Sequence, residues 1–232
     1  MGTFDRYTGG RYADNYEKPH KGFYDDVAEQ CFRYTPEGGL LLDIGTGPAS
    51  LERSLCAYDV GFDIIAVEPS DTVYDAEKEK FDFSYTVKRG SMSDVLDLFS
   101  LESLDTIALP RSPHEIAKSM GSRTRFWEEL DGLASYLKDG GHVVFADPMY
   151  NPVVAHDPGR FSYELDQVKE HNIATIGHND IIEDMFSPLE VMEKMGSVGF
   201  SPLYLQVHDK SDHLRRWGIS INQFLVGVFR RI

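Results

Sequence analysis

The stretch GGLLLDIGTGPASLERSL, residues Gly38 to Leu55, joins an aliphatic run to two closely spaced glycines and then to a polar, helix-like segment. Leu40 to Ile44 is apolar on both faces, as a buried strand of a parallel sheet must be. Gly45 and Gly47 permit a tight turn and expose backbone N–H groups with no Cβ in the way. A helix over Ser50 to Tyr58 follows. Strand, glycine turn and helix make the opening unit of an α/β sheet, where ligands bind at the carboxyl ends of the strands.

The remaining sequence repeats this alternation. A helix from Lys21 places Phe23, Val27 and Cys31 on one face, four residues apart. Further strands are read at Ile64–Val67, around Phe83, Tyr85 and Val87, at Leu104–Leu109 before Pro110, and at His142–Ala146. Ser70 is the N-cap of a helix to Lys80, and a short helical piece covers Asp94–Phe99. Phe126, Leu130, Leu133 and Leu137 recur with helical period, and Asp139, Gly140 and Gly141 are read as that helix's end. Ser187, Pro188 and Glu190 sit at N-cap, N1 and N3 of a later helix, followed by strands at Leu203–Val207 and Gln223–Phe229. The order predicts a Rossmann-like sheet of seven strands, mostly parallel with an antiparallel last strand, and helices on both faces. Residues 1–20 are read as an N-terminal lid segment, and 21–232 as one domain carrying an inserted lid or subdomain at 148–186.

Composition narrows the function. The 232 residues carry 38 acidic against 23 basic side chains, a net charge of −15, which repels polyanions, so nucleic acid is disfavoured and a small-molecule substrate is expected. Neither a leader nor a run of about 18 apolar residues is present, so a cytoplasmic location and no membrane partner are expected. Cys31 and Cys56 form no CxxC pair; both are expected to be buried and reduced. The histidines and aspartates at 156–180 and 208–213 lack the tight spacing of a zinc site, so no metal is expected.

A dinucleotide fingerprint would put glycine where Ser50 stands. Asp43, two residues before Gly45, would repel a pyrophosphate but attract a cation, which suits an amino-acid-bearing nucleoside. DIGTGPA resembles motif I of the class I S-adenosylmethionine-dependent methyltransferases, with Ala49 at the third glycine. More segments agree in order. IIAVEPSD places Glu68 where the family's acidic residue accepts both ribose hydroxyls, with Pro69 after it. RGSMSD resembles the loop beside the adenine, at Ser91 and Met92. YLKDGGHVVFADP resembles the helix, turn and fifth strand, and MGSVGFSPLYLQV the closing helix and sixth strand. The resemblance spans Lys21 to Arg230 apart from the insertion. It implies S-adenosylmethionine as cofactor, held by Asp43, Gly45, Thr46, Gly47 and Glu68, with Arg111 after strand four and Tyr12 in the N-terminal segment as further contacts.

Methyl transfer from a sulfonium needs an aligned nucleophile and at most one base. His114 in PRSPHEIA, in the loop that in this family faces the methyl group, is the expected base; a structural or substrate-contacting role is the competing reading. DPMY at Asp147–Tyr150 is a poor copy of the DPPY element of base-methylating enzymes. The leading expectation is methyl transfer to O, N or C of a small molecule. The alternative is a nonenzymatic sensor or scaffold of the same fold.

Overall fold

The computed structural model describes residues 11–70, 77–150, 186–209 and 222–232. Its elements are α1 (Arg11–Tyr34), β1 (Leu40–Ile44), α2 (Ser50–Leu55), β2 (Asp63–Glu68), β3 (Tyr85–Arg89), a 3-10 turn (Met92–Asp97), β4 (Leu104–Pro110), α3 (Pro113–Ser119), α4 (Arg123–Ala134), β5 (Leu137–Tyr150), α5 (Pro188–Ser197), β6 (Phe200–Asp209) and β7 (Asn222–Arg231). They form one seven-stranded sheet in the order β3-β2-β1-β4-β5-β7-β6. β1 to β5 pair in parallel, and β7 runs antiparallel to both β5 and β6. The order reverses between β1 and β4, which puts the ligand crevice at their carboxyl ends.

Alternation along the strands divides the core in two. Leu42, Ile44, Ile107, Leu109, Val143 and Phe145 pack under α3, α4 and α5 with Phe126, Leu130, Val191 and Met195. Leu41, Ile64, Ala108, Val144 and Ala146 face the other way, toward Phe23, Val27 and Cys31 of α1 and Leu51 and Leu55 of α2. Each of the larger aliphatic and aromatic side chains contributes about 1.5–3 kcal/mol by leaving water. Asp43 alternates with Leu42 and so enters the α1–α2 side.

Several boundaries differ from the sequence reading. α1 begins at Arg11 rather than Lys21; the RYADNYEKPH turns carry no apolar stripe to announce them. α4 ends at Ala134, and Leu137 is the first residue of β5, paired with Leu104. The DGG triplet is therefore a bulge: pairing jumps from Leu104↔Leu137 to Thr106↔His142. A Cβ on Gly141 would lie 2.9 Å from the Lys138 carbonyl oxygen. The short helix α3, absent from the sequence reading, opens on Pro113. Cys31 is buried as expected, but Cys56 is exposed, because α2 ends at Leu55 and the chain turns outward. Ser187 caps α5 as expected, its Oγ accepting the Glu190 N–H at 3.1 Å, while the Glu190 carboxylate turns to Trp127 Nε1 and Arg123. The expected lid at 1–20 beyond its helical part, the segment following the Ser70 cap and the insertion at 148–186 lie largely outside the described residues.

Candidate functional site

The turn after β1 is stitched to both neighbouring strands. The Gly45 N–H donates to the Val67 carbonyl at 2.8 Å, and Ser112 Oγ, beyond β4, donates to the Ile44 carbonyl at 2.6 Å. Gly45 has φ +81°, and a Cβ there would stand 2.5 Å from the Ser112 Cβ. Only glycine fits that contact and that backbone angle. Gly47, at φ +54°, faces open space, and its N–H reaches Glu68 Oε2 at 2.9 Å. Ala49, at the third motif position, is held in the left-handed region with φ 62°.

Glu68, at the end of β2, is buried. Its other oxygen, Oε1, accepts the Ser70 N–H at 2.9 Å. Two backbone donors thus fix the carboxylate, and each oxygen keeps a second lone pair for a ligand hydroxyl. Pro69 is half-buried between them. After the next strand, the Ser91 N–H and Oγ–H both donate to Asp94 Oδ2 at 2.7 Å. These bonds hold the Asp94 carboxyl below its ordinary range. The Met92 side chain is buried in the core, which leaves its backbone as the part that a ligand could reach.

Asp43 is fully buried, and neither of its oxygens has a hydrogen-bond partner. Burial, and then the nearby Glu52 carboxylate, push its pKa well above the usual carboxylate range. Thr46, also buried, donates from Oγ1 to Glu52 Oε2 at 3.1 Å. Tyr24 of α1 is hydrogen-bonded to Ser50 and Arg111 close to Asp43. Arg111 has φ 59°, donates its N–H to the Ala146 carbonyl at 2.6 Å and lays its guanidinium 5.6 Å from the Phe224 ring centroid. Asp43, Gly45, Thr46, Gly47, Glu68 and Arg111 therefore gather at the carboxyl ends of β1, β2 and β4. Tyr12 lies in the first turn of α1. Tyr24 and Glu52 escaped the sequence reading: Tyr24 adjoins the apolar stripe of α1, and Glu52 reads as an ordinary first-turn acid of α2.

His114, in the first turn of α3, is buried. Its Nδ1 is 2.7 Å from Asp147 Oδ1, its backbone N–H donates to Asp147 Oδ2 at 3.0 Å, and Nε2 is 3.5 Å from Glu115 Oε1. Burial alone would lower the pKa of the ring, but the charge and hydrogen bond of Asp147 outweigh it and raise His114 from 6.5 to about 9. A charged imidazole offers no lone pair. The Asp147 contacts tie α3 to β5 through the ring and favour the structural reading of His114 over the general base.

The sequence matches the methyltransferase domain family over residues 16–224. No curated protein matches it. Among solved structures, the chain resembles a SAM-dependent methyltransferase from Methanosarcina mazei (TM-score 0.58, 16% identity, 86% of this chain and 95% of that one). It also resembles geranyl diphosphate C-methyltransferase from Streptomyces coelicolor A3(2), solved with Mg2+, geranyl-S-thiolodiphosphate and S-adenosyl-L-homocysteine (0.62, 14%, 91% and 76%). A third likeness is to a chain solved in complex with the Trm112 methyltransferase activator of Haloferax volcanii (0.63, 18%, 98% and 98%). At such identities the structural likeness shows the fold. The family match spans nearly the whole chain, which therefore belongs to the methyltransferase domain family and is a class I S-adenosylmethionine-dependent methyltransferase.

Proposed function

We propose that the protein methylates a small molecule, and that the cradle formed by Asp43, the Gly45–Gly47 turn and Glu68 holds the cofactor. The observation that carries this reading is the Glu68 carboxylate, fixed by the Gly47 and Ser70 N–H groups at 2.9 Å each with lone pairs to spare. The residues fit S-adenosylmethionine: the buried Asp43, whose oxygens have no donor, would be held ionised by a cation beside it, and the open side of Gly47 admits a ligand against bare backbone. Glu68 would take the ribose hydroxyls, Asp43 and the turn the amino-acid end, and the Ser91–Met92 backbone the adenine edge. Bound there, the cofactor supplies a methyl group on a sulfonium. The chain's own part is to orient and to exclude water, which does not call for a neutral base at His114. Arg111, pinned by its own N–H and close to Tyr24 and Asp147, borders the crevice from β4 and would help to hold a ligand there.

A small-molecule acceptor fits the net charge of −15, which opposes a polyanionic substrate. The geranyl diphosphate methyltransferases among the structural neighbours act on a molecule of that size class. The test is calorimetric titration with S-adenosylhomocysteine, followed by transfer of label from S-adenosylmethionine into a fractionated metabolite extract. Binding with label in a low-mass product supports the reading. No binding removes it, and label found only in nucleic acid or protein removes the small-molecule acceptor.

A further inference from the structure

Beneath the glycine turn lie two carboxyl groups whose neighbours leave them short of donors. Asp43, from β1, and Glu52, from α2, are both fully buried. Asp43 Oδ1 and Oδ2 and Glu52 Oε1 lack a hydrogen-bond partner. Thr46 has one hydroxyl proton, and it points to Glu52 Oε2. The two carboxyl groups lie near enough to shift each other's titration, and a hydrogen bond between them exists only if one of them carries a proton. The other groups turned toward the pair are Tyr24 and Cys31 from α1, Glu68 from β2, and Tyr85 from β3 with Glu79 behind it. None of these is a cation; Arg111 stands one step further out, hydrogen-bonded to Tyr24. Among the described residues no group of three His, Cys, Asp or Glu side chains is placed to hold a metal ion.

Two adjacent ionised carboxylates, wholly dry and with no cation in direct contact, are prohibitively costly. We propose that Asp43 and Glu52 share a proton in the free protein and release it when the cationic cofactor enters, so that Glu52 sets the pH dependence of cofactor binding. On release, an O–H bond of the pair breaks, its electrons stay on the carboxylate oxygen, and the proton passes to solvent. The incoming positive charge then takes the proton's place beside Asp43. Burial pushes Glu52 up to about 7 and Asp43 well above its usual range, so a proton stays on the pair at neutral pH and binding must displace it. This inference rests on the cofactor reading above, adding to it a residue and a direction of linkage.

The experiment uses the whole chain and S-adenosylhomocysteine, titrated calorimetrically at pH 6 and pH 8 in two buffers of different ionisation enthalpy. The wild type should release protons on binding and bind about tenfold more tightly at pH 8, the equivalent of one pKa unit. Glu52→Gln keeps the shape and gives Asp43 an amide donor, so the difference between pH 6 and pH 8 should shrink. The ligand's amine titrates alike with both proteins, so the comparison isolates the pair. Equal pH profiles for the two proteins would overturn the proposal. Should neither bind S-adenosylhomocysteine, the cofactor reading fails by itself, and infrared spectroscopy judges the pair. A carboxylic-acid carbonyl band at pH 7 that Glu52→Gln loses supports a shared proton, and its absence in the wild type refutes one.

Discussion

Asp147→Asn tests the buried ion pair under α3. His114 is raised from 6.5 to about 9, and about 2.5 pKa units correspond to roughly 3 kcal/mol. Both partners are buried, with relative exposures of 5% and 0%, so solvent screening does not reduce this. Another effect does. Asp147 is itself pushed above its ordinary range by burial, with His114 and Arg111 only pulling it back, so the ionised pair stabilises less than the histidine shift alone implies. About 2–3 kcal/mol is the expected loss. The sign follows from the raised histidine: its stabilisation is complete below about pH 6.5 and is lost as pH rises through about 9. Asp43 and Glu52 are also held above their ordinary range and add to any fall with pH in both proteins, so the difference between wild type and variant is what reports His114. Urea denaturation from pH 6.5 to about 9 should show wild-type stability falling. Asp147→Asn should start lower and run flatter. A level wild-type profile, or a variant that parallels the wild type, refutes the assignment of a charged His114.

The remaining outcomes concern the cradle. Gly45→Ala must place a Cβ 2.5 Å from the Ser112 Cβ at φ +81°; it should cost more than about 2 kcal/mol in denaturation and abolish S-adenosylhomocysteine binding in calorimetry. Glu68→Gln keeps one acceptor for the backbone but loses the charge and half the acceptor capacity, so affinity for S-adenosylhomocysteine should fall at least about tenfold, or about 1.4 kcal/mol, while stability changes less. Ser112→Ala removes the buried 2.6 Å bond to the Ile44 carbonyl and should lower stability by about 1–2 kcal/mol in the same denaturation assay.

What the sequence made legible is what short-range pattern controls. Leu40–Ile44 is apolar on both faces because β1 is covered on both, and Ser187-Pro188-Leu189-Glu190 sets its helix start through a local bond. The helical period through Phe126, Leu130 and Leu133 was equally plain, but it ran on into Leu137. Leu137 is buried for another reason, its pairing with Leu104. Burial leaves the same apolar residue in either element, so periodicity cannot place that boundary. The cradle's glycines and Glu68 were visible because their spacing is fixed by strand length and turn. Tyr24 and Glu52 were not, since their roles arise from contacts between α1, α2 and β1 that no local pattern records. The protonation of His114 was hidden for the same reason: Asp147 is 33 residues away in the chain.

Costly backbone and costly charge collect at one end of this sheet. Of the three non-glycine residues with positive φ among the described residues, Ala49 and Arg111 flank the crevice, together with Gly45 and Gly47. The donor-poor Asp43–Glu52 pair and the buried His114–Asp147 pair lie at the same end. Each non-glycine residue in the left-handed region costs about 1–2 kcal/mol, and such strain persists only where surrounding structure enforces it. Here the enforcement is visible. The turn after β1 is bonded to Val67, Ser112 and Glu68, on β2 and beyond β4, before any ligand arrives. A turn already fixed by its neighbours loses little further freedom on binding, so more of the contact energy appears as affinity. The two packed faces of the sheet hold that turn in place, and the same rigidity keeps Asp43 dry and waiting for a positive charge.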